Sequence, residues 1–330
     1  GRGFGADSGA PAPSTAVLLR ELAKSDDGRA VRTVRHVRRA ATPAGGKLLR
    51  TDLHDAAAAT AVIRTGWDGD AVRVLLEYRD AVPRLEIACG DRLLAAGPWD
   101  WTVSVNGRPA EAEGAWKASG WESDRRACFL EIVAPLAGGM LLERQIVVLR
   151  RQRIVLLADA VVSAAGAEAD GGPIEYRAAV PLAPDLIAEP AAETREVTVY
   201  DGTMRFMALP LALPEWRIGG TGSLSPTEDG LALAQSGHRR LYAPLWLDCD
   251  PRRVGRPLTW RQLTVADTRR NLPPHQAAGF RVQAGDEQWL LYRTLDAVRN
   301  RTVLGCNVSC GFLLGRVKRS GEVARTVEIE

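Results

Sequence analysis

His238 is followed by Arg239, Arg240 and Tyr242, so an imidazole, two guanidinium groups and a phenol fall within five residues. An imidazole titrates close to neutral pH, and a phenol nearby can carry a proton in the opposite direction. His238 and Tyr242 are therefore the candidate catalytic acid/base pair; a solvated turn histidine is the alternative. Four of the nine tryptophans, Trp99, Trp101, Trp116 and Trp121, fall within one short stretch. Indole faces stack on the apolar faces of sugar rings, and the ring N–H adds a polar handle. The same four could instead fill a core, because aromatics are ordinary strand residues. Arg64, Arg125 and Arg126 carry planar forks that match a carboxylate or sulfate. With the tryptophans they form the candidate substrate-binding set.

Other groupings carry less chemistry. Asp248-Cys249-Asp250 places two carboxylates on one side of a strand end, which suits a divalent cation or a turn cap; Pro251 next in sequence favours the cap. Cys306 and Cys310 have no second pair and no histidine beside them, so they do not fit structural zinc. Five cysteines, an odd number, do not make a disulfide framework. No phosphate-binding loop, nucleophile elbow, HExxH or dinucleotide glycine pattern is present. The expectation is no cofactor and no metal. Asn300-Arg-Thr and Asn307-Val-Ser match glycosylation acceptors, but arginine outnumbers lysine 39 to 4, as in GC-rich bacterial coding, and the sequons are discounted.

The elements that must position these groups read as strands. From about Ala59 onward, short runs rich in Val, Ile, Leu, Trp and Tyr alternate with Gly, Pro, Asp and Asn turns. Leu141–Arg150, Arg153–Val162 and Leu241–Leu247 are among the strands, and Asn106-Gly107 and Asp201-Gly202 are hairpin signals. Crossover helices are missing between the runs, which excludes a parallel α/β sheet. The expected class is all-β: a large antiparallel β-sandwich with one buried face per sheet, preceded by a short N-terminal helical segment. Residues 1–13 read as a Gly/Ala/Pro-rich tail, 14–50 as a basic helical segment and 51–330 as the sandwich.

The chain has 330 residues and a net charge of +3. Residues 14–50 hold nine Lys/Arg against three Asp/Glu, so the sandwich with the tail is slightly acidic and is not built to bind nucleic acid. Valines at 31, 34 and 37 interleave with Arg32, Arg35, Arg38 and Arg39, which makes residues 28–41 a possible docking helix for a protein partner. No apolar run reaches the length of a membrane-spanning helix. No signal peptide is visible, so a cytoplasmic location in a bacterium is the default expectation.

Four strand texts carry a resemblance. They are Ala-Val-Ile-Arg-Thr-Gly-Trp at 61–67, Leu-Leu-Ala-Ala-Gly-Pro-Trp at 93–99, Leu-Leu-Glu-Arg-Gln-Ile-Val-Val-Leu at 141–149 and Arg-Ile-Val-Leu-Leu-Ala-Asp-Ala-Val at 153–161. Together they resemble the C-terminal β-sandwich of the heparinase II/III-like polysaccharide lyases, over about a third of the chain. The whole chain also resembles a group of planctomycete proteins, which implies no activity. The lyase resemblance implies a polysaccharide partner, acidic in kind, and proton abstraction beside a uronic carboxylate with a Tyr or His as acid/base. In that family the catalytic groups sit largely on an α-helical toroid, joined by a His-rich strand of the sandwich. This sequence departs on both counts: it has no long helical region, and no histidine lies between Trp67 and His238. The expected function is a catalytically reduced polysaccharide-binding sandwich. An active lyase on acidic polysaccharide and a structural, partner-docking domain are the alternatives.

Overall fold

The run Ile146-Val147-Val148-Leu149 offers no polar face, so a strand made of it must be covered on both sides. That is how it folds. The computed structural model describes residues 51–164, 172–253, 255–268 and 270–330, all within one compact unit, Thr51–Glu330. The helices expected within residues 14–50, including the possible docking helix at 28–41, lie outside the described residues.

The centre is an eight-stranded sheet. Its middle strands are Met140–Leu149, Ile154–Ser163 and Leu241–Asp248, within a residue or two of the predicted limits. Ile146 and Val148 point into one apolar cluster, Val147 and Leu149 into another. Two five-stranded sheets cover the first face. One is a meander from Leu53–Asp55 to Arg92–Pro98; the other contains Asp100–Val105, Pro173–Pro181 and Gly230–His238. A further five-stranded sheet, including Ala277–Ala284 and Glu287–Thr294, covers the second face, and a small four-stranded sheet backs it. Pairing is antiparallel throughout these sheets.

The antiparallel sandwich is as the sequence predicts. The expectation of one buried face per sheet needs correction for the central sheet, which is buried on both. The meander does alternate: Val72, Val74 and Leu76 are buried while Arg73, Leu75 and Glu77 are half-exposed. The Asn106-Gly107 turn forms with φ of 54° and 72°, as a tight hairpin with two left-handed residues requires. Among the described residues the only helix is the 3₁₀ turn Pro251–Arg253, and no helix is long and apolar enough to cross a membrane.

Candidate functional site

The strand Gly230–His238 begins buried and ends exposed. Arg239, with φ of 67°, then turns the chain sharply, and Leu241–Asp248 re-enters the central sheet. This hairpin sets Gln235, His238, Arg240 and Tyr242 around one opening. From the opposite side comes a turn at Pro273-Pro274-His275-Gln276, closed by the Gln276 amide donating to the Pro273 carbonyl at 2.9 Å. It delivers His275 just before the strand Ala277–Ala284. The two imidazoles lie 6.3 Å apart between ring centres. They line a cleft of about 270 Å³ together with Gln235, Arg240, Tyr242 and Gln262.

Tyr242, which lines the cleft, belongs to a buried polar network. The Tyr242 hydroxyl donates to Gln145 Oε1 at 3.0 Å, and Gln145 Nε2 donates to Glu131 Oε2 at 2.6 Å. Arg293 joins Glu131 at 3.2 Å and also pairs with Glu143. Burial pushes the Tyr242 phenol far above its usual range. Gln235 Nε2 donates to the Tyr242 carbonyl at 3.1 Å, while its Oε1 is buried with no hydrogen-bond partner in the structure. On the rim, burial lowers the pKa of His275, and Arg239, His238 and Arg240 lower it further, with Asp296 opposing. The His275 imidazole is therefore held toward its neutral form.

Glu143 has a consequence for stability. Burial holds its carboxyl above the ordinary value of 4.5, with Arg293 opposing and Glu131 reinforcing. Over the interval between 4.5 and its folded value, the native state binds a proton that the unfolded state releases. Stability from this group is present at low pH and declines as pH rises through that interval. Glu143→Gln is expected to flatten the decline, measured as urea midpoints taken from mildly acidic pH up to neutrality. An unchanged slope removes the assignment.

The other predicted residues lie elsewhere. Trp99 and Trp116 are buried, with the Arg144 guanidinium carbon 3.9 Å and 5.4 Å from their ring centres. Trp101 meets Trp116 edge to face at 6.3 Å, and the Trp116 N–H donates to the Ala81 carbonyl at 2.9 Å. Trp121 is half-buried against His54, whose Nε2 contacts the Tyr78 hydroxyl at 2.8 Å. Trp99 and Trp116 thus gather around Arg144 inside the molecule, with the half-buried Trp101 against Trp116.

The backbones at Arg64 and Arg126 meet at Arg150. Arg150, itself buried, donates to the carbonyls of Arg64 and Asp124, and its own amide donates to the Arg126 carbonyl. The Arg64 guanidinium lies 4.8 Å from the Trp67 ring, and burial draws its pKa down to about 10, with Arg73 adding to the shift. Arg126 neighbours the end where Leu149 pairs with Ala127, whereas His238 turns into Leu241, which pairs with Val161. At 3.3 Å per residue the central strand separates these two ends by roughly 23 Å. The predicted arginines and the predicted acid/base pair do not share a site.

Asp248 and Asp250 are taken by arginine. Asp248 receives both Nε and Nη2 of Arg253, at 2.7 and 2.8 Å, and Asp250 receives Arg252 and Arg253. Each also accepts a backbone amide two residues on, at 3.1 and 3.0 Å. Among the described residues no His/Cys/Asp/Glu group is arranged to hold a metal ion. The five thiols are free.

Sequence reasoning missed His275 and Gln262. The Pro-Pro-His turn was a readable signal for His275, since two prolines fix a turn ahead of a strand. Gln262 had none, because it reaches the cleft only through sheet packing. A larger hollow of about 780 Å³ lies between the Pro173–Pro181 strand and residues 182–188 and 226–230. Alanine and proline dominate its walls, and Asp100, Glu228 and Asp229 outnumber Arg177. It offers neither an imidazole nor a cationic rim.

No family model matches this chain, and no curated protein matches its sequence. Solved structures do. The crystal structure of heparan sulfate lyase HepC from Pedobacter heparinus aligns with a TM-score of 0.56 at 11% identity, covering 87% of this chain and 49% of that one. A HepC mutant from the same organism gives 0.55 at 10% identity, covering 86% and 48%. The chain thus spans about half the length of these structures. At such identity the likeness is one of fold, and the stacked antiparallel sheets of this protein are similar to a sandwich found in a heparan sulfate lyase.

Proposed function

We propose that this protein is a polysaccharide-binding β-sandwich that takes an acidic glycan at the His238–His275 cleft. The carrying observation is the convergence of two imidazoles and Arg240 on one opening. The likeness in fold to a lyase of heparan sulfate supports the choice of ligand class. A sugar carboxylate or sulfate entering there gains charge-assisted hydrogen bonds from Arg240 and from protonated His275.

The test is calorimetric binding of heparan sulfate and chondroitin sulfate oligosaccharides. His238→Ala and His275→Ala are each expected to weaken binding about tenfold or more, the scale of one charged hydrogen bond. Binding is expected to tighten as pH falls, because an anion beside His275 favours the charged imidazole that burial and the neighbouring cations disfavour. His275→Gln should remove most of that dependence. Wild-type protein that binds no acidic oligosaccharide at any pH overturns the reading.

The proximity of His238, His275 and Tyr242 favours lyase activity as a second reading. Against it, the Tyr242 hydroxyl is buried and already donates to Gln145. Release of unsaturated uronate from heparin, alginate or chondroitin, seen as ultraviolet absorbance, decides in favour of the lyase.

A further inference from the structure

The cleft has an unassigned neighbour. Ala212 and Thr221 both line it, and between them the chain leaves the sheet and returns as a loop. Within that loop Trp216 is 53% exposed and Ile218 is 87% exposed. Large apolar side chains this open are usually scattered and carried by loose chain. Here the backbone beneath them is fixed from several sides.

Arg195 is buried and acts as the clamp. Its Nε donates to the Trp216 carbonyl at 3.3 Å, its Nη1 to the Gly222 carbonyl at 3.1 Å, and its Nη2 to the Gly219 carbonyl. Its backbone amide donates to the Glu215 carbonyl at 2.9 Å. Arg217 donates through Nε and Nη2 to the Ala191 carbonyl, and its amide donates to the Glu193 carbonyl. At the loop's entry the Trp260 indole N–H donates to the Leu213 carbonyl at 3.0 Å. Gly219 and Gly220, with φ of 70° and 88°, make the return. A side chain on Gly220 would also meet Pro214, whose Cδ lies 2.8 Å from the Cβ position.

We propose that this loop is a sugar-ring platform that extends the cleft, with Trp216 as its stacking face. The inference rests on the cleft reading above. Trp216 lies four positions after Ala212 at the cleft wall, a reach of at most about 14 Å. An oligosaccharide leaving the cleft therefore comes within range of the indole. The occupant is the apolar face of a pyranose ring in an acidic glycan. Arg217, next in sequence, adds a positive charge beside the ring. The clamp removes the ordering cost that a loose loop would bring to binding.

Oligosaccharides of graded length test this. Trp216→Ala is expected to weaken binding of the longer ones about tenfold and leave the disaccharide unchanged. Trp216→Tyr should restore most of the loss, because a smaller aromatic face still stacks. A saturable change in tryptophan fluorescence with the long oligosaccharide should disappear in Trp216→Ala. Trp216 is exposed, so circular dichroism and thermal midpoint should match wild type. If His238→Ala abolishes binding while Trp216→Ala equals wild type at every length, the platform is overturned and the cleft stands. If wild type binds no length at all, both fall. If Trp216→Ala alters only self-association in sedimentation, the exposed pair is a contact between copies and the assignment to sugar is wrong.

Discussion

Asp159→Ala is expected to destabilise the fold by about 3–5 kcal/mol, the scale for breaking one partner out of a buried ion pair. Arg144 and Asp159 sit opposite each other on neighbouring strands of the central sheet, and neither side chain is exposed. The guanidinium meets both carboxylate oxygens, at 2.9 and 2.7 Å, and donates from Nη1 to the Trp99 carbonyl at 2.7 Å. The Tyr176 hydroxyl donates to the same carboxylate at 2.6 Å. Removing Asp159 strands a cation among Trp99 and Trp116, where indole faces only partly replace a carboxylate. Tyr176→Phe leaves the ion pair intact and should cost less, about 1.5–3 kcal/mol for one charged hydrogen bond. The double change Arg144→Met with Asp159→Leu removes both charges and should recover most of the loss. Urea midpoints for the four proteins decide it. A cost below about 0.5 kcal/mol for Asp159→Ala, the scatter of ordinary surface substitutions, rejects the account.

Trp246→Ala is expected to cost about 3–5 kcal/mol through the cavity it leaves. Trp246 is wholly buried on Leu241–Asp248, and its ring lies 5.6 Å from that of Trp289 on the facing sheet. The pair fills the space between the central sheet and its second cover. Neither indole N–H has a hydrogen-bond partner in the structure. Trp246→Phe therefore loses volume but also removes an unpaired donor, and should cost well under half as much as the alanine. Equal losses for Phe and Ala would show that volume is not what Trp246 contributes. Calorimetric unfolding separates the two cases.

Both predictions rest on residues whose importance the sequence half reveals. The continuous apolar runs at 146–149 and 154–157 carry a signal of two-sided burial, because a strand exposing one face would alternate, and the expectation of one buried face per sheet passed over it. The Asn106-Gly107 pair states its hairpin for the same local reason: few residue pairs tolerate two left-handed conformations. Strand identity, antiparallel pairing and the absence of crossover helices among the described residues were legible in this way. His238 and Tyr242 were legible as a pair, since four residues across a tight hairpin keep them near one opening.

The rest depends on which sheets meet. His275 lies 37 positions after His238 in sequence and reaches it only because two separate sheets converge. The tryptophans were chosen for their clustering, yet a strand sequence does not say whether an indole faces ligand or core. Arg144, on the central sheet, holds Trp99 and Trp116 in the core. Arg64, Arg125 and Arg126 were grouped with the tryptophans as one binding set, and strand register puts Arg126 at the end of the central sheet away from His238. Local pattern fixes conformation over a few residues through sterics and hydrogen bonding. Placement across tens of residues follows from apolar surface seeking cover, and that choice is made by the whole chain at once.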